Sequence, residues 1–567
     1  MSIRPRPVPE VPECTALVAR TAFPRGTLAM RVRDLLGPVF QDEHYAAAFG
    51  ARGRPGIAPG QLMLVTVLQF VEGLTDRTAP LAVAGRIDWK YALGLELSDP
   101  GFDFSVLSGF RARLVKHGLQ RTGFEALLER CRGFALVAAG GKQRTDSTHV
   151  LAAVRDLNRF ELAGQSVRAL LEVPAVAAAD WLAQAVDVHQ WAKRYGMRVT
   201  SWSVGRSKAR REELAGQFGR DGFALLRALH APGTPAWLRA LPQVETLRRV
   251  LVQNYLVEYD PEGGEVIRRR ETADGLPPGR LRLATPFDTD ARWARKGDLA
   301  WLGYKLHLTE TCDDPPENDP GPGTEPPNLI TNVVTTDATV PDLAVTETIH
   351  RDLAGRSLAP AEHYLDSGYP SAAGVVDARL DYGIDIISPL LSNVSPQARA
   401  NAGYARDNFV FDYDARTATC PQGRTSSSWR ECTQRGWPAV VVKFDIPTCR
   451  PCPAREMCTT SKRGFRQLSV PPRQAHELQQ THRALQDTRA WRDKYRRRAG
   501  VEGTMHQAIT TTDLRHTRYR GLAKVHLEHC VAATAINLVR LDAYLTEHPL
   551  DRGRTTHLAR LDLALTN

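Results

Sequence analysis

Three carboxylates in this chain stand in contexts suited to cutting and joining phosphodiesters. That chemistry needs an attacking oxygen, an in-line leaving oxygen and positive charge on both. Two Mg²⁺ ions roughly 3.5–4 Å apart supply the charge when a few carboxylates from separate elements hold them. Mg²⁺ keeps several of its waters, so three carboxylates suffice. The chain has 63 Asp and Glu residues, so residue type alone selects none of them. Asp146 lies in a polar turn on a strand, with Thr148 and His149 beside it. Asp366 ends a strand and precedes Ser367-Gly368-Tyr369, where the glycine permits a tight turn. Glu502 sits in a basic helix, with Tyr495, Arg498, His506 and Ile509 on the same stripe, about 100° wide. Arg498, one turn earlier, has the planar fork to orient that carboxylate or grip a scissile phosphate. Taken singly, each acid also fits a cap, a turn or an i,i+4 ion pair.

A second constellation is built from cysteine. Cys420 opens a segment that returns in Cys449-Arg-Pro-Cys452 and Cys458. A CxxC pair sets two thiolates on one turn, half of a tetrahedral zinc site. The four would form a structural Cys₄ zinc site closing a small module with little core, with Cys432 as an alternative fourth ligand. Reduced, partly buried thiols are the plainer reading. Cys14, Cys131, Cys312 and Cys530 are scattered and read as ordinary. Without an HExxH or a His-rich cluster, a zinc hydrolase is disfavoured.

The elements that must position these groups form more than one domain, since 567 residues exceed one compact core. No stretch approaches the roughly 20 apolar residues of a membrane span. The Pro-rich start lacks the apolar region of a signal peptide. A cytoplasmic chain is therefore expected, in which nine cysteines suggest metal or free thiols. A net charge of +11 favours a polyanionic partner. Between Trp491 and Lys524, nine Lys/Arg face three Asp/Glu, with Tyr495 and Tyr519 interleaved, as a nucleic-acid surface would have.

Residues 1–139 read as helical, with apolar spacing from Leu62 to Val71 and from Leu81 to Leu95. A third helix, N-capped by Ser105, carries Arg111, Arg113 and Lys116, compatible with a helix-turn-helix reader or an ordinary bundle. Arg52-Gly53-Arg54-Pro55 suits a narrow minor groove or a helix-initiating loop. Strands are expected at Gly140–Ala153, Trp301–Thr311, Leu329–Thr336, Glu362–Asp366 and in IDIISPL, with a helix in SAAGVVDARL. That order predicts an α/β fold, a mixed sheet flanked by helices. A helical insertion over about 157–285 and a Cys-rich one over about 392–473 interrupt a domain spanning 140–547. A basic, then amphipathic helical region runs from Gln474 to Leu545, and 548–567 is a tail.

Together, D-S-T-H (Asp146–His149), D-S-G-Y (Asp366–Tyr369) and Y-x2-R-x3-E (Tyr495, Arg498, Glu502) resemble the signatures of bacterial insertion-sequence DDE transposases. The arrangement is most similar to the group typified by insertion sequence eleven-eighty-two. Supporting stretches are Gly53–Met63, Leu107–Leu114, Ala291–Leu308, Thr331–Asp342 and Arg518–Val525, so the resemblance runs in order from about residue 50 to 540. It implies an RNase H-like catalytic fold, with Asp146, Asp366 and Glu502 holding two Mg²⁺ (or Mn²⁺) ions. It further implies double-stranded DNA as partner, both terminal inverted repeats and target, a homodimer on paired ends, and a place in the cytoplasm at the nucleoid. DNA contacts are expected from Tyr495, Arg498, Arg518, Arg520 and Lys524, and from Arg52, Arg54, Arg111 and Arg113 in the helical region. The family lysine falls on Ile509, so Lys524 or a neighbouring arginine would have to replace it. A nuclease on the same fold and an inactive DNA-binding descendant are the alternatives; retention of all three carboxylates argues against the latter.

Overall fold

A computed structural model describes residues 2–547 apart from 51, 54, 201–207, 315–325, 391, 392, 394, 435 and 436. The expected contact of Arg54, much of the acidic Pro-rich connection after Thr311, and the tail from 548 lie outside the described residues.

The first third is helical. Its central helices are α1 (Pro59–Val71), α2 (Ser105–Lys116) and α3 (Thr122–Gly133). Pro59 suits the first turn of α1, where its missing N–H has no partner to lose. Ser105 is the first residue of α2 rather than its cap; the Asp103 carboxylate accepts from the Ser105 N–H at 2.9 Å. The N-cap position is Phe104, whose side chain accepts nothing, so Asp103 satisfies the first helical N–H from one residue further upstream.

The central sheet contains β1 (Lys142–Leu151), β2 (Arg292–Lys296), β3 (Leu299–Thr311), β4 (Ile330–Asp337), β5 (Glu362–Leu365) and β6 (Asp385–Ile387). Its order is β4–β3–β1–β5–β6, with β2 paired to the first residues of β3. β3 pairs antiparallel with both β1 and β4, whereas β5 pairs parallel with β1 and β6 parallel with β5. The parallel strands need crossovers, supplied by α4 (Thr346–Ala354) and α5 (Ala372–Tyr382). This curled mixed sheet with flanking helices is the RNase H-like arrangement expected above. At Gly303 a Cβ would stand 2.1 Å from the Val150 carbonyl, so only glycine lets β1 and β3 close up there.

The C-terminal region comprises α6 (Arg489–Tyr495), α7 (Gly500–Thr512) and α8 (Leu522–Leu545), preceded by a helix at Arg473–Gln486. α8 is buried on nearly every side, from Val525 to Leu541, because it lies between the sheet and α1, α2 and α3. One continuous core therefore runs from Leu62 and Phe70 through Leu306 and Val333 to Ile536 and Leu541. Arg31 clamps Asp542 with two 2.7 Å bonds, and Arg121 donates to Val333 and Asn332. The helical region is thus welded to the catalytic sheet.

Two insertions interrupt this plan, each with its own core. The first runs from Arg159–Ala177 to Pro242–Asn254 as helices, then departs from the helical expectation in a hairpin, Tyr255–Tyr259 with Glu265–Arg269. Alternation in YLVEY favours strand, and the Asp260 carboxylate closes the turn on the N–H groups of Glu262 and Gly264. The second insertion folds short strands around Phe409, Val442, Phe444 and Leu468. Among the described residues no helix is long and apolar enough to cross a membrane.

Candidate active site

Strand register brings the two aspartates together. β1 and β5 run parallel with Thr145 beside Leu365, so Asp146 and Asp366 are the next pair in step. Neighbouring strands lie about 4.8 Å apart, and paired residues point to the same face. Asp366 sits one residue beyond β5, where the chain turns through Ser367 and Gly368. α7 crosses this edge and supplies Glu502.

Arg498 links the set. Its guanidinium donates to Asp146 Oδ2 at 2.7 Å and to Glu502 Oε1 at 2.9 Å. Tyr495 stacks on Trp491 at 5.0 Å between centroids and donates its hydroxyl to the Leu365 carbonyl at 3.2 Å, beside Asp366. The stripe expected on one helix is interrupted: residues Arg496–Ala499 form a 3₁₀ turn between α6 and α7. Arg498 lies within that turn, and its i,i+4 pair with Glu502 of α7 is kept. Ile509 is half-buried on α7.

The charges respond to this crowding. Burial raises the Asp146 carboxyl above its ordinary range; Arg498 and the Ser147 N–H pull it back, and Asp366 pushes it up again. Burial also pushes the Tyr495 hydroxyl up to about 12, Arg498 opposing and the three carboxylates adding to the rise. Among the described residues, no side-chain hydrogen bond or ion pair reaches the Asp366 carboxylate, and the buried Arg498 Nε has no partner. Three hard oxygen donors of like charge, only two of them bridged by a guanidinium, suit a divalent cation of the Mg²⁺ kind. Among the described residues, no group of three or more His, Cys, Asp or Glu side chains is placed to hold a metal ion, the three carboxylates and the four cysteines included.

Residues that sequence patterns did not single out hold this arrangement. Glu310 is fully buried on β3, opposite Arg144 of β1. It accepts from Arg144 Nε at 2.7 Å, from Arg540 of α8 at 2.9 Å and from Thr504 of α7. Arg144 also donates to the Arg497 carbonyl at 2.7 Å, directly before Arg498. Arg144 lies two residues from Asp146, and Thr504 two from Glu502, so the network ties the strand of one acid to the helix of the other. The signal available was a glutamate in a strand expected at the heart of the sheet, LHLTET, which must find a cation once buried. On the opposite face of β1, Thr145 bonds Thr309 at 2.6 Å and His363 at 2.7 Å, and His363 bonds His350 at 2.9 Å. Burial drives both imidazoles below their ordinary range, which keeps this relay neutral.

The remaining expected DNA contacts scatter. Arg520 and Lys524 are exposed. Arg518 is half-buried over the Phe70 ring and donates to the Leu74 carbonyl, a link between the two regions. Arg111 is buried, paired with Asp76 and stacked over Tyr519, so it faces the core rather than solvent. Arg113 rests over Phe49. Arg52 is exposed at a 710 Å³ cavity that Arg4 and Arg6 also line, and none of the three carboxylates lines it.

Cys420, Cys449, Cys452 and Cys458 surround one cavity of about 30 Å³, while Cys432 lies on the strand Ser428–Gln434 and does not line it. Burial and repulsion from the neighbouring thiols raise Cys449 and Cys458 above the ordinary thiol range. All nine cysteines are unpaired.

Two family models match the chain: a transposase DDE domain over residues 419–542, and a second transposase domain, DUF772, over residues 18–113. The first contains Glu502 and the Arg498 turn; the second contains α1 and most of α2. Together they support a bacterial insertion-sequence DDE transposase. A domain of that kind implies an enzyme that cuts DNA with divalent metal. No curated protein and no solved structure is matched.

Proposed function

We propose that this chain binds the terminal inverted repeats of an insertion sequence, cleaves DNA at the element's end and joins the freed 3′-OH to target DNA. The observation that carries the reading is the register of β1 and β5, which sets Asp146 beside Asp366, with Arg498 bridging from Asp146 to Glu502. Asp146, Asp366 and Glu502 would hold two Mg²⁺ ions. When bound, those ions would lower the cost of generating the nucleophile and of charge on the leaving oxygen. Arg498 places a fixed positive fork at the same spot, able to balance the charge that develops on the phosphate. Tyr495, stacked on Trp491, walls the site. The exposed Arg520 and Lys524 would supply positive charge for the DNA backbone. The work on paired ends calls for a homodimer. The cysteine quartet around its small cavity would take a structural Zn²⁺, replacing the core that the module lacks.

The test is a cleavage and strand-transfer assay with Mg²⁺ on duplex bearing the element's end. Asp146→Asn, Asp366→Asn and Glu502→Gln should each abolish both reactions while the proteins stay folded. Unchanged cleavage in Asp146→Asn would overturn the assignment. Cleavage without any joining of pre-cut 3′-OH ends would make the protein a nuclease instead.

A further inference from the structure

The first insertion ends in a segment whose charge the transposase reading leaves unexplained. Between residues 266 and 296, eight Lys/Arg face four Asp/Glu. Three of those acids are already engaged. Asp274 pairs with Arg268, buried Asp288 accepts from Tyr304, and Asp290 accepts from the Leu522 N–H that begins α8.

Arg268 and Arg295 pair with carboxylates, but four other arginines lean on neutral oxygens. Arg159 donates to Asn254 and to the Arg270 carbonyl. Arg270 donates to the carbonyls of Asp274 and Gly275, Arg282 to that of Pro277, and Arg292 to those of Arg280 and Thr289. Among the described residues none of these side chains forms an ion pair, and Arg280 and Arg282 are exposed. Carbonyls orient a guanidinium but leave its charge uncancelled. Burial lowers the affinity of Arg159 for its proton, and Arg269, Arg282 and Arg270 lower it further by repulsion. Such crowding opposes folding, which is the pattern of a surface kept for a polyanion.

The patch reaches the strand that carries Asp146, although none of the three carboxylates lines its cavities. Trp293, 42% exposed, lines a 360 Å³ cavity with Arg159 and Arg282, and also a 420 Å³ cavity with Lys296 and Ser147, the neighbour of Asp146. Lys296 is exposed and lowers the His149 imidazole, so its charge reaches the end of β1.

We propose that Arg159, Arg269, Arg280 and Arg282, continued across Trp293 to Lys296, form a phosphate-binding track that carries duplex DNA from the first insertion to the carboxylate site. The proposal rests on the transposase reading but names a surface outside the segment 491–524. Each phosphate contact releases counterions, so lost contacts reduce the dependence of binding on salt.

The experiment uses the full chain and a fluorescein-labelled duplex spanning the element's end and its flank, titrated across a range of NaCl. Arg280→Glu/Arg282→Glu should weaken binding and make the slope of log K against log[salt] shallower by about 2. Arg351→Glu/Arg379→Glu, which makes the same change in net charge at exposed residues already paired with Glu347 and Asp385, should leave the slope within error. Arg280→Gln/Arg282→Gln, the milder variant, should show the same loss of slope. The track is refuted if the wild type binds and cleaves but the 280/282 variants match the 351/379 control. A wild type that neither binds the duplex in a salt-dependent way nor cleaves it would refute the transposase reading, and this inference with it.

Discussion

Replacing Gly500 by alanine sets local helix propensity against tertiary packing. Gly500 begins α7 with ordinary helical angles, φ −63° and ψ −24°, so alanine fits the backbone and should gain about 1 kcal/mol by propensity. Its Cβ, however, would lie 2.0 Å from Arg144 Nη1 and 2.4 Å from Cζ, and Arg144 is buried. A flexible arginine would move aside cheaply, but this one is bound to Glu310 and to the Arg497 carbonyl. Displacing it forfeits two charge-assisted hydrogen bonds of about 1.5–3 kcal/mol each. Arg540 and Thr504 still hold Glu310, so the network is weakened rather than emptied. The net expectation is destabilisation by about 2–4 kcal/mol. Cleavage should fall as well, because Arg497 leads into Arg498. Thermal unfolding and Mg²⁺-dependent cleavage would be measured for Gly500→Ala, Arg144→Met and the double variant. With no guanidinium to displace, the alanine should cost nothing further in the Arg144→Met background. A melting temperature that rises in Gly500→Ala alone would refute the close-packed role of Arg144.

Arg498→Lys should lower cleavage by about 10²-fold with little change in melting temperature, since a point charge cannot span Asp146 and Glu502 as the fork does; wild-type activity would remove Arg498 from the site. Burial pushes the Glu528 carboxyl from 4.5 up to about 8, although the Arg518 N–H and the Arg518 and Arg111 charges oppose the rise. A raised carboxyl stabilises the protonated fold, so this contribution, on the order of 4 kcal/mol, is full below pH 4.5 and is lost as pH rises through about 8. Melting curves across that range should therefore slope less in Glu528→Gln than in the wild type, and parallel curves would contradict the shift. Purified protein should carry one zinc per chain by elemental analysis, and Cys449→Ser should lose it together with local protease resistance around residues 409–470; metal-free wild type with an intact module would end the zinc proposal.

Five strands of the central sheet were legible in the sequence from their apolar and β-branched residues, whereas β2, Arg292–Lys296, was not, being short and basic. The motifs around Asp146, Asp366 and Glu502 were legible because their neighbours carry polar turns, a glycine and an arginine at fixed offsets. The break at Arg496–Ala499 was not, since three arginines and an alanine satisfy an α-helical pattern as well as a 3₁₀ turn. Nor was the burial of Arg111: its spacing on α2 suits an exposed basic face, and only the approach of Tyr519 from the far end of the chain turns it inward. The same holds for the carboxylates. Sequence by itself determined that three acids sit on separate elements of a mixed α/β fold. Tertiary structure alone decided that two of them share one guanidinium and the third stands beside them, because parallel register sets Asp146 beside Asp366 and the Arg144–Glu310–Arg540 network holds α7 against β1. Register and buried charge pairing are long-range properties, and no local spacing encodes them.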